Sequence, residues 1–119
     1  MKKISTLFIA LSVFGFSINA AMAENPSTVN YDTPVPLEGT VKKENGYPML
    51  YLPSPITAVA KPEDVLYSTY SGAKKLQIVW SGKKLPIGCI KANGQLFGAH
   101  TAHHKTDVLL ELSSYEPCK

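Results

Sequence analysis

Three histidines fall within five residues, at His100, His103 and His104, and the chain has no others. Imidazole is the commonest metal-binding side chain. One chemistry open to the segment is therefore a zinc or copper site, completed by Asp107 or Glu111. Two features weigh against it. His103 and His104 are adjacent, so in an extended chain they point to opposite faces, and Lys105 puts a positive charge where a cation would sit. The favoured reading is structural. The imidazoles, with the hydroxyls of Thr101 and Thr106, satisfy backbone groups in a loop, and no metal or other cofactor is expected.

Cys89 and Cys118 are the only cysteines. Their spacing is unlike Cys-x-x-Cys, so a redox-active pair is disfavoured. A disulfide is the default in an exported chain. Closing that loop is worth about 3.5 kcal/mol in the chain-entropy model. Cys89 would serve as a nucleophile only if reduced. The sequence holds no Gly-x-Ser-x-Gly elbow, His-Glu-x-x-His pair or Walker-type glycine loop. Glu63-Asp64 reads as a solvated pair in a polar loop. The expectation is a protein that is not an enzyme.

Export itself is read from the N-terminus. Lys2 and Lys3 precede an apolar run from Leu7 to Ile18, and Ala21-Met22-Ala23 supplies the small-x-small pattern of a cleavage site. Residues 1–23 thus read as a signal peptide, and residues 24–119 as one periplasmic domain. The apolar run is short of the roughly 20 residues that a membrane span takes, and no second one follows. No membrane span is expected after cleavage. Once Lys2 and Lys3 are removed, ten lysines face nine carboxylates, a formal charge of +1, and the chain contains no arginine. The basic, arginine-bearing face of a nucleic-acid binder is missing, so nucleic acid is excluded as a partner.

The elements that must position these residues are strands. A polar leader, 24–33, carries no periodicity and is expected to be loosely held. Val35, Leu37, Gly39 and Val41 alternate with polar neighbours, the period of a half-buried strand. Asn45-Gly46 signals a tight hairpin into a second strand over 47–52. Pro53 and Pro55 end that strand, opening a long irregular connection over 53–73 in which Lys61-Pro62-Glu63-Asp64-Val65-Leu66 could begin a short helix. Leu76, Ile78 and Trp80 mark a third strand, and Leu85, Ile87 and Cys89 open a fourth. Asn93-Gly94 forms a turn or bulge. Val108, Leu110 and Leu112 define the last strand. The class predicted is all-β, a small OB-like barrel of about five strands with one long irregular connection.

The run Leu96-Phe97-Gly98-Ala99-His100-Thr101-Ala102-His103-His104-Lys105-Thr106-Asp107-Val108-Leu109-Leu110 resembles the tail of DUF4431, a family of uncharacterised bacterial exported domains. Leu37-Glu38-Gly39-Thr40-Val41 and Leu76-Gln77-Ile78-Val79 are similar to earlier parts of that family, as is Leu52-Pro53-Ser54-Pro55-Ile56. Relatives often carry a third histidine or an aromatic where Lys105 stands here. The resemblance implies an exported domain and no assigned mechanism.

With charge nearly balanced, a tight partner must be held by apolar and aromatic burial, and Tyr and Trp are enriched at such anchors. Tyr67 and Tyr70, on the irregular connection, are the candidate partner-binding residues. The reading is a non-enzymatic periplasmic binding module with a protein partner in the cell envelope. Its most concrete form is an inhibitor or immunity-type protein that binds an envelope-targeting toxin or hydrolase. The alternatives are a metal-binding protein using His100, His103 and His104, and an oligosaccharide-binding OB-like barrel.

Overall fold

The computed structural model describes residues 24–118; the signal-peptide reading of 1–23 lies outside them. Six strands form one sheet: β1 (Thr28–Asn30), β2 (Val35–Glu44), β3 (Tyr47–Val59), β4 (Tyr70–Val79), β5 (Gly88–Gly98) and β6 (Val108–Pro117). Five of them close into a ring, β2–β3–β4–β6–β5 and back to β2, with β1 added outside on β3. Around the ring only β4 and β6 run parallel. The fold is all-β and OB-like, as the alternation implies.

The ring's interior follows from period-2 patterning. Leu37 and Val41 of β2 point inward with Leu50, Leu52, Ile56 and Ala58 of β3. They meet Leu76 and Ile78 of β4, Ile90 and Leu96 of β5, and Val108, Leu110 and Leu112 of β6. The β2–β3 hairpin turns at Asn45 and Gly46, whose φ angles of 52° and 87° give two successive left-handed residues. Asn-Gly tolerates this conformation better than other pairs.

Several boundaries differ from the sequence reading. β3 does not stop at Leu52 but runs to Val59 through both prolines. β3 pairs with β2 only as far as Thr40↔Tyr51, and β1 takes over on that side at Thr28↔Thr57. Between those points that edge of β3 is unpaired. The register with β4 also shifts between Tyr51 and Ile56, so Pro53 and Pro55 lie where neither neighbouring strand requires an N–H. The irregular connection therefore shrinks from 53–73 to 60–69. It holds no helix: the Asp64 carboxylate accepts from the N–H groups of Leu66 (2.8 Å) and Tyr67 (3.1 Å), closing a turn that competes with helix formation.

The leader is docked instead of loose. Val29 and Tyr31 are buried in the core cluster, and the Asn25 carboxamide brackets Glu38, donating to its carbonyl at 2.9 Å and accepting from its N–H at 2.8 Å. Of the turn or bulge expected at Asn93-Gly94, the bulge is what forms, a register shift inside the continuous strand β5. Leu85 and Ile87 precede β5, which begins at Gly88, and Trp80 lies just past β4.

Candidate functional sites

The histidine segment, residues 99–107, joins β5 to β6 and folds back over the outside of the ring. Three side chains on that outer surface are buried although they lie outside the main core: Met49, Gln77 and Leu109. Strand register sets them in a row, Met49 opposite Gln77 and Gln77 opposite Leu109, with Phe97 next across the sheet. Gln77 is the buried polar residue of the described chain, and both ends of its amide are used. Its Nε2 donates to the His103 carbonyl at 3.1 Å, and its Oε1 accepts from the Lys105 N–H. Thr106 Oγ1 accepts from the Gln77 N–H at 3.0 Å and donates to the Val108 carbonyl at 2.7 Å.

The imidazoles act on the loop itself. His104 Nδ1 accepts from the N–H groups of His100 (3.0 Å) and Thr101 (3.3 Å), so it must be unprotonated. His100 Nδ1 lies 3.0 Å from the Gly98 carbonyl, which can only accept, so that nitrogen carries the proton. The two rings stand edge to face at 4.7 Å, with Phe97 beside both. Burial, then the neighbouring His100 and His103, holds the His104 pKa below the usual histidine value. Thr101 Oγ1 accepts from the His103 N–H at 3.2 Å. His103 differs: its ring is exposed, and it is the backbone carbonyl that meets Gln77. The three histidines do not bring three ligand atoms together. The grouping within 4.8 Å among the described residues is Glu38 with Cys89 and Cys118, whose sulfurs are bonded to each other.

That Cys89–Cys118 disulfide spans a Cα–Cα distance of 5.4 Å, beside the Ile90↔Pro117 pairing of β5 and β6, and ties the C-terminal end of β6 to the start of β5. Glu38 Oε2 lies 3.5 Å from the Cys118 sulfur and 3.8 Å from that of Cys89.

The two tyrosines proposed for partner binding separate. Tyr67 turns inward, its ring 4.8 Å from that of Tyr31 and lying flat over Gly98, where an added β-carbon would come within 2.7 Å of it. Tyr31 in turn donates its hydroxyl to the Ser68 carbonyl at 2.9 Å. Tyr67 is thus a packing residue, which corrects its assignment as a free anchor. Tyr70 stays exposed at the start of β4. The outward residues of the same loop are Val65 and Leu66, 94% and 80% exposed. Reading 61–66 as the start of a helix hid them. Their signal was the Asp64 turn, which lifts two aliphatic residues away from the surface.

A third surface is a cleft of about 690 Å³ where β2 and β3 diverge, lined by residues 24–27, Glu38, Tyr51 and Pro53 to Ile56 among others. On the neighbouring outer face Tyr51 donates to the Glu44 carboxylate, which also pairs with Lys75 at 2.9 Å. These two bonds, the tyrosine's first, lower the Glu44 pKa. Lys42 and Lys75 cover the Tyr51 ring at 5.0 and 5.8 Å, and Lys105 covers Tyr47 at 5.5 Å.

The fold and these surfaces define an all-β, OB-like, disulfide-tied protein with a histidine loop clamped to its outer face. The sequence model of a family described as a domain of unknown function, DUF4431, matches residues 89–116. The match takes in β5 from its second residue, the whole histidine loop and most of β6, so it covers the clamped loop and both strands that carry it. No curated protein and no solved structure matches the chain.

Proposed function

We propose that the protein is a non-enzymatic periplasmic binding module, exported by residues 1–23. It holds a protein partner of the cell envelope in the manner of an inhibitor or immunity-type protein. The observation that carries this reading is the pair Val65 and Leu66, exposed at the end of a loop with a fixed base. Asp64 bonds set the turn, Thr69 Oγ1 accepts from the Ala60 N–H at 3.0 Å across the loop's base, and Tyr67 anchors it on Tyr31. An apolar tip that is ordered before binding loses little entropy on entering a cleft. It therefore suits the active site of an envelope-targeting toxin or hydrolase better than a flexible loop would.

Truncating such an anchor costs about 2 kcal/mol of affinity, roughly thirtyfold. The test places a photo-crosslinking residue at Leu66 and, separately, at exposed Lys91 on β5, in cells where the protein is exported. A partner trapped from Leu66 alone, lost with Val65→Asp, and inhibited by the purified wild-type protein is the expected result. Equal trapping from both positions, or trapping unaffected by Val65→Asp, would refute the reading.

A further inference from the structure

We propose that the cleft between β2 and β3 binds an extended, basic polypeptide segment, which replaces residues 24–27 and adds as a strand to the free edge of β2 at Glu38. Residues 36–39 of β2 pair with β5 on one side, and β3 joins on the other side only from Thr40 onward. On the facing wall β3 is unpaired until Thr57, whose N–H donates to the Ser27 carbonyl at 2.9 Å. Two strand edges thus face each other across a gap without a strand between them.

What fills part of the gap shows what fits it. The Asn25 carboxamide offers Glu38 one donor and one acceptor, the same pair that a residue of an added strand offers through its N–H and C=O. Its seat is shallow: Glu24, Pro26 and Ser27 are exposed on either side of it. The rest of the cleft is short of donors. Pro53 and Pro55 line the gap and, like Pro36 on β2, have no N–H to offer it. Glu24 and Glu38 add two carboxylates, against the single ammonium of Lys42, which is drawn over the Tyr51 ring at the other end. A ligand must bring N–H groups at strand spacing and positive charge, and an extended peptide with basic side chains brings both. Adding a strand to an exposed edge is a recurrent mode of peptide recognition.

The test uses the purified protein and fluorescein-labelled Lys-Val-Lys-Val-Lys-Val, capped at both ends, read by anisotropy. Three probes accompany it: the same peptide with alternate amides N-methylated, its Glu-Val counterpart, and spermine as competitor. The basic peptide should bind while the N-methylated and acidic peptides do not, and spermine should fail to displace it. Asn25→Ala, which removes the occupant of the edge, should tighten binding about tenfold, the worth of one to two hydrogen bonds. Glu38→Gln should weaken it up to about fivefold, as expected for one exposed ion pair. Leu66→Asp at the loop tip should change nothing, which separates this site from the partner surface proposed above. Failure of the basic peptide to bind would overturn the proposal. So would equal binding of the N-methylated peptide, displacement by spermine, or an Asn25→Ala variant that binds no more tightly.

Discussion

Replacing Gln77 by leucine should release the histidine loop while leaving the ring intact. The side chain sits between Met49 and Leu109, so leucine fits the apolar surroundings with little change of volume. What it removes is the clamp. The Lys105 N–H and the His103 carbonyl lose their partners, two bonds that link residues 26 and 28 positions apart in sequence. Each neutral hydrogen bond contributes about 1 kcal/mol net, and a buried group left unpaired costs about 1–3 kcal/mol. Both loop groups are partly buried, so water replaces some of the loss, and the added leucine methyls return a fraction through burial. The net expectation is about 2 kcal/mol, equivalent to a fall of about 10 °C in Tm for a domain of this size. Chemical denaturation gives the stability. Native-state hydrogen exchange at the Lys105 amide reads the loop separately, and its protection should fall far more than that of Leu110 in the core. Gln77→Glu should be as harmful near neutral pH, because one carboxylate oxygen would then face the His103 carbonyl with no proton between them. A leucine variant within 0.5 kcal/mol of wild type, with Lys105 still protected, would refute the clamp.

Three further outcomes are expected. The folded protein holds His104 neutral more firmly than the unfolded chain does, because its Nδ1 accepts two N–H bonds and its pKa is lowered. The stability it supplies is therefore complete above about pH 6.5 and is lost as pH falls below that value; His104→Ala should cost about 1–2 kcal/mol at pH 7.5 and flatten denaturation midpoints measured between pH 7.5 and 5. Reducing the Cys89–Cys118 bond should cost about 3.5 kcal/mol, and thiol titration of the denatured, unreduced protein should find no free thiol. Tyr67→Ala should destabilise by about 2–4 kcal/mol because its ring fills the space over Gly98 and against Tyr31, whereas Leu66→Ala should leave the melting temperature unchanged; equal effects would show that the loop is not anchored as described.

Local patterning was enough to mark five of the six strands, all but β1 in the leader. Alternation in β2 and β6 and the Asn45-Gly46 turn are short-range signals, because side-chain direction and turn geometry depend on neighbouring residues alone. The pairing of two lone cysteines and the backbone-satisfying work of Thr101, Thr106 and the imidazoles of His100 and His104 were legible for a similar reason. Each is a matter of what a polar or sulfur-bearing group must find once the chain compacts. Beyond that, partners distant in sequence decided the outcome. Pro53 and Pro55 look like a strand's end, and the divergence of β2 from β3, with the register shift against β4, makes their missing N–H groups harmless, so β3 continues. Gln77 reads as one more outward polar residue until the histidine loop, 26 residues on, closes over it. Asn25 in an aperiodic leader becomes an edge residue because Glu38 has an unpaired donor and acceptor. Tyr67 and Leu66 exchange roles, since the side chain that finds Gly98 and Tyr31 is buried and its neighbour is left in water. In each case the residue's own chemistry set what it could bond, and the closing of the ring determined which distant group stood within reach.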